Sequence, residues 1–91
     1  MKQYAFHAIV RGSVQGVGFR YYTEREAKKL NIKGWVKNNS NGDVEIWAEG
    51  TKPDLDDFHK WLRHGPGSSR VDSVDKDEIL PKNYREFNIE Y

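Results

Sequence analysis

The chain has 91 residues, which predicts one domain spanning residues 1–91, since domains run from ~50 to ~250 residues. Charged residues make up 32% of it, but the signs nearly cancel at +1, which argues against a general binder of polyanions. There is no cysteine, so disulfides, thiolate catalysis and zinc–thiolate sites are excluded.

The amino-terminal stretch "MKQYAFHAIVRG" contains no long apolar segment, so no signal peptide is expected; no later run approaches the ~20 apolar residues of a membrane span, and the cytoplasm is the expected location. Gln3 to Arg11 reads as a central strand, with Phe6, Ala8 and Val10 on one face and His7, Ile9 and Arg11 on the other. The glycine-rich "GSVQGVGFR" follows. A helix is predicted from Phe19 to Leu30, with Phe19, Tyr22 or Thr23, Ala27 and Leu30 inward and Asn31 ending it in a left-handed conformation. Lys33 to Asn38 is a second strand, and "NNSNG" a turn. Asp43 to Glu49 alternates as a third strand, Val44, Ile46 and Ala48 against Glu45, Trp47 and Glu49. "TKPD" opens a second helix, with Thr51 as cap, Pro53 in the first turn and Leu55, Phe58 and Leu62 buried. "HGPG" stops it. Arg70 to Leu80 is a fourth strand in which Val71 and Val74 break the period of two, predicting a bulge or an edge. "FNIEY" is a short last strand with Phe87 and Ile89 inward. The order βαββαβ plus a terminal strand predicts an α+β ferredoxin-like sandwich, an antiparallel sheet with both helices on one face.

By itself the glycine loop admits two readings. Glycines between a strand and a helix let successive N–H groups turn inward around an anion, and the following helix adds its positive end. Gly12, Gly16 and Gly18 suit that role, and Arg20 in the first helical turn offers a planar fork of donors. In the other reading the glycines serve only a tight connection, with Arg20 on a solvated face. The loop is neither a Walker motif nor a dinucleotide fingerprint.

"VRGSVQGVGFR", Val10 to Arg20, resembles the first motif of the acylphosphatases. "GWVKNNSNGDVEIWAEG", Gly34 to Gly50, resembles their second. Both fit in full, at the expected separation, and no motif position departs. Beyond them the likeness is looser, in length, element order and the "GP" after the second helix, and carries the fold only. The resemblance implies hydrolysis of carboxyl–phosphate mixed anhydrides. It implies that Arg20 and the backbone N–H groups of Ser13, Val14, Gln15, Gly16, Val17, Gly18 and Phe19 bind the phosphoryl group, and that Asn38 positions the attacking water. Nothing in the pattern demands a partner, so a monomer is expected, and with arginine and backbone donors to cover the phosphoryl oxygens no metal and no cofactor are expected. Inorganic phosphate is then product and competitive inhibitor. An acyl phosphate carries a good leaving group, so positioning and charge stabilisation matter more than a strong base. Read without the motif, Asn38 is a turn residue.

His7, His59 and His64 are too scattered to predict a ligand set or a general base. Asp54, Asp56 and Asp57 crowd the start of the second helix, where its dipole favours them, and "DSVDKDE" reads as a solvated edge. A rival reading is an RNA-binding module stacking bases on Trp47. Against it, "DVEIWAE" lacks the expected aromatic and basic pattern, and Glu45 and Glu49 flank Trp47; no nucleic-acid partner is expected. A second rival is a retained fold without turnover, or a phosphate-sensing regulatory domain; Arg20 and Asn38 stand against a lapsed active site.

Overall fold

The computed structural model describes residues 2–91. In chain order the elements are β1 (Tyr4–Ser13), α1 (Phe19–Lys29), β2 (Lys33–Asn38), β3 (Val44–Gly50), α2 (Lys52–His64), β4 (Arg70–Ile79) and β5 (Phe87–Glu90). They form one five-stranded sheet in the order β4-β1-β3-β2-β5. β3 lies at its centre because it pairs antiparallel with both β1 and β2.

Alternation along the strands decides which face is covered. Phe6, Ala8 and Val10 of β1, Val36 of β2 and Val44, Ile46 and Ala48 of β3 are buried beneath the helices. α1 adds Phe19, Thr23 and Ala27, and α2 adds Leu55, Phe58 and Leu62. Of the two residues expected at one α1 position, Thr23 is buried and Tyr22 is exposed. Phe58 anchors the core: its ring lies 6.3 Å from Phe6, 6.4 Å from Trp61 and 6.1 Å from Phe87, and aromatic pairs at such separations add to the gain from burial alone.

The element order and the helix-covered face are as the sequence predicts. Asn31 ends α1 with a φ of 60°. β4 is an edge strand, and its register against β1 slips between Arg11 and Gly12, Arg11 pairing with Ser73 and Gly12 with Val71. Asp72 is therefore the extra residue of a bulge, which explains the broken period around Val71 and Val74. The sheet is not wholly antiparallel, however. β5 pairs parallel to β2. β4 runs antiparallel to β2 through the intervening strands, so a chain that leaves β4 on one edge and turns back onto the other must enter alongside β2 in the same direction. β1 also extends to Ser13, beyond the expected Arg11, because the bulge lets Gly12 and Ser13 continue the ladder.

Residues 80–86 make that crossing against the open face, fixed by Glu49. Its side chain is buried, yet its carboxylate accepts from Trp47 Nε1 at 2.8 Å, Lys82 N–H at 2.6 Å and Tyr84 N–H at 3.0 Å. A buried carboxylate is tolerable when donors fill its lone pairs. The sequence reading places Glu49 beside Trp47, opposite the core face, and carries no sign of its pinning role, which depends on a contact 35 residues away.

Candidate active site

The segment between β1 and α1 has the backbone conformation that its glycines predict. Gly16 and Gly18 have φ of 75° and 77°. Gly18 is the residue before the first turn of α1, in a left-handed conformation, and no side chain caps that end. The first turn carries no acidic residue. Among the described residues, the N–H groups of Gln15 through Gly18 find no backbone acceptor. Gly12 has a different task from the one its motif position predicts. It lies within β1, where an added Cβ would meet the Arg70 carbonyl at 2.1 Å, so it allows strand contact rather than forming the loop.

Asn38 reaches this region by strand alternation. Gly34, Val36 and Asn38 form the row of β2 that faces the helices, and Asn38 ends it. β2 is not next to β1, because β3 lies between them. The loop crosses that gap: a cavity of about 190 Å³ is lined by Val14, Gly16, Gly18, Phe19 and Arg20 together with Asn38. Ser13, Gln15 and Val17 do not line it. Ser13 is the last residue of β1, Val17 packs against the core while its carbonyl accepts from Ser68 Oγ at 3.1 Å, and Gln15 reaches the β2–β3 turn.

Asn38 Oδ1 is buried and has no hydrogen-bond partner among the described residues. A buried acceptor without a partner loses its share of solvation, so it is poised for a donor from a small ligand or water. Thr23 Oγ1 shares that condition, but Thr23 does not line the cavity.

Three further lining residues escape sequence reasoning: Tyr21, Ile89 and Tyr91. Ile89 pairs with Val36, and the end of β5 therefore lies beside Asn38. Arg20 Nη1 donates to the Glu90 carbonyl at 3.2 Å, and its guanidinium carbon lies 4.8 Å from the centre of the Tyr91 ring. These contacts hold the guanidinium in place while leaving other N–H groups of its fork uncommitted. The parallel docking of β5 brings these residues in, and the sequence carries no local signal for it.

On the sheet face opposite the helices, His7 Nε2 meets Glu45 Oε2 at 2.6 Å. Burial raises the Glu45 carboxyl, but hydrogen bonds from His7 and Asn39 and the charges of His7 and Lys37 outweigh it, holding the group below its ordinary 4.5. On the open face Trp47 lies 6.4 Å from Trp35 and 6.2 Å from Tyr84, with Lys82 Nζ 4.7 Å from its ring centre. The crossing segment thus already packs on Trp47. Larger hollows, of about 300 Å³ beside α2, about 650 Å³ beside α1 and about 320 Å³ between Lys33 and the start of β5, contain neither Arg20 nor Asn38. Among the described residues no three His, Asp or Glu side chains form a metal-binding group, and no helix is long and apolar enough to cross a membrane.

Comparisons with known proteins agree with this geometry. A family model described as acylphosphatase matches residues 6–89. The chain is 47% identical over 81 residues to an acylphosphatase of Vibrio parahaemolyticus, covering 89% of this chain and 90% of that protein. The crystal structure of acylphosphatase from Bacillus subtilis matches with a TM-score of 0.94 at 39% identity, over 97% of this chain and 99% of that one. An acylphosphatase structure from Coxiella burnetii also gives 0.94, at 38% identity, over 97% of this chain and 93% of that one. With a family match over nearly its whole length and relatives of this identity and coverage, the chain belongs to the acylphosphatase family.

Proposed function

We propose that the chain, working as one domain, hydrolyses acyl phosphates to a carboxylate and inorganic phosphate, with Arg20 and the N–H groups of the glycine loop holding the phosphoryl group and Asn38 holding the attacking water. The observation that carries this reading is the meeting of Arg20, the uncapped start of α1 and the unpartnered Asn38 Oδ1 at one cavity.

Each part has a physical task. The N–H groups and the guanidinium supply positive potential to the phosphoryl oxygens, with no metal required. Asn38 Oδ1 accepts one O–H of the water and aims its oxygen at phosphorus. As the new P–O bond forms, the bond from phosphorus to the acyl oxygen breaks, and the carboxylate leaves with its electron pair. The water proton ends on a phosphoryl oxygen, so a dianionic substrate gives carboxylate and dihydrogen phosphate. An amide is too weak a base to take that proton itself. Phosphate, as product, competes for the same donors.

The test uses benzoyl phosphate in the presence of a chelator. Steady hydrolysis is expected. Asn38→Ala should lower kcat by ~10²-fold, the scale for losing one positioned polar group, and leave the phosphate inhibition constant near that of the parent. Absence of hydrolysis, or its loss to the chelator, contradicts the reading. Equal losses of turnover and phosphate affinity in Asn38→Ala would make Asn38 a phosphate ligand instead.

A further inference from the structure

The Gln15 side chain crosses from the glycine loop to the β2–β3 turn. Its Nε2 donates to the Asn39 carbonyl at 2.7 Å and to the Asp43 carbonyl at 2.8 Å. A primary amide has two N–H donors, so both bonds can exist at once. The two acceptors close the turn between them: Asn39 N–H donates to the Asp43 carbonyl at 2.8 Å, and Gly42 N–H to the Asn39 carbonyl at 3.2 Å. One side chain thus ties the loop to both arms of the turn, at the residue that follows Asn38.

This tie bridges a gap that the sheet leaves open. β3 separates β1 from β2, and the loop lies beyond the end of the β1 ladder at Ser13. The ladder alone therefore relates Asn38 to the loop only through two strand pairings. Gln15 relates them directly.

We propose that Gln15 is a positioning residue: its two N–H bonds hold the loop and Asn38 in one frame and so set the distance from the held water to the bound phosphoryl group. The proposal rests on the reading of Asn38 as the water holder. Phosphate binding by the loop and Arg20 does not need that frame. Attack on phosphorus does, since a misplacement of ~1 Å can cost ~10²-fold in rate. Replacing Gln15 strips neither carbonyl of its last donor, because each keeps its backbone N–H partner. Gln15→Met, of similar length but without N–H groups, therefore removes the tie with little damage to the turn. Gln15→Ala is the second variant should the thioether pack badly.

The experiment is a double-mutant cycle with Asn38→Ala, reading kcat on benzoyl phosphate, the phosphate inhibition constant and the melting temperature. In the parent background, Gln15→Met should lower kcat ~10- to 100-fold and leave phosphate inhibition within about threefold. In the Asn38→Ala background the same change should cost less than ~3-fold, because no held water remains to be misplaced. Unchanged kcat in Gln15→Met, or phosphate affinity falling in step with kcat, overturns the proposal. So does an equal loss in both backgrounds, which is the mark of a merely structural role. An additive cycle built on a slow Asn38→Ala enzyme sinks the Gln15 role alone. If Asn38→Ala itself turns over normally, the water-holding reading fails and the Gln15 role falls with it.

Discussion

At the start of α2, Thr51 Oγ accepts from the Asp54 N–H and donates to the Asp54 carboxylate at 2.9 Å, and Pro53 occupies the first turn. At the start of α1, Gly18 offers no side chain, the first turn holds no carboxylate, and Arg20 brings a positive charge. Both ends expose the same N–H groups and the same positive dipole. α2 satisfies them from its own residues. α1 leaves them unsatisfied and adds a cation where the dipole disfavours one. Each departure at α1 works against helix stability, and each favours an external anion. A local rule broken twice in the same direction is the mark expected of a functional site.

Four changes would break or sharpen that contrast, from the largest effect down. Arg20→Gln should lower kcat/KM by ~10²–10³-fold, because one strong donor to the phosphoryl oxygens is lost. Phosphate inhibition should weaken with it, and near-normal kinetics would remove Arg20 from the site. Gly18→Asp gives α1 the carboxylate that α2 already has. Compared with Gly18→Asn, which imposes a similar backbone cost at positive φ, it should weaken phosphate inhibition by about tenfold or more. Equal behaviour of the two variants would mean that the uncapped end feels no anion. Thr51→Ala makes α2 resemble α1 and should cost about 1 kcal/mol, lowering the melting temperature by ~4–8 °C for a domain of this size, with kcat unchanged.

The smallest effect lies further along α2. Burial holds the His59 imidazole below its ordinary 6.5, with the charges of Lys76 and Arg63 adding to this and Asp56 opposing it. The folded state then binds fewer protons than the unfolded one, so this contribution is complete above pH 6.5 and is lost as pH falls through the folded value. His59→Gln should flatten the decline of melting temperature in that window. An unchanged slope would assign the decline to other groups.

The sequence is most informative where the physics is local. The period of two from Asp43 to Glu49 and the "TKPD" cap identify β3 (Val44–Gly50) and α2 (Lys52–His64) within one or two residues, because alternation and capping need only near neighbours. The bulge was visible as the broken period at Val71 and Val74. The two motifs carried Arg20 and Asn38 by family likeness. Composition and spacing alone leave Asn38 a turn residue. The contacts that complete the site are long-range: Arg20 with Glu90 and Tyr91, Gln15 with Asn39 and Asp43, Glu49 with residues 82 and 84. Each depends on which edge β5 joins or how the loop folds across β3, and a four-residue strand does not encode its neighbour. Gly12 shows the reverse error, since its motif position groups it with the loop while its environment is that of a strand.

The most direct test of the account is a titration of the parent protein with inorganic phosphate, in chelator, followed by the amide signals of both helix starts. The account predicts saturable shifts in the N–H signals from Ser13 to Arg20 and in the Asn38 side-chain amide, while Lys52 to Leu55 stay fixed. Shifts absent from the loop, or equal at the start of α2, would contradict it.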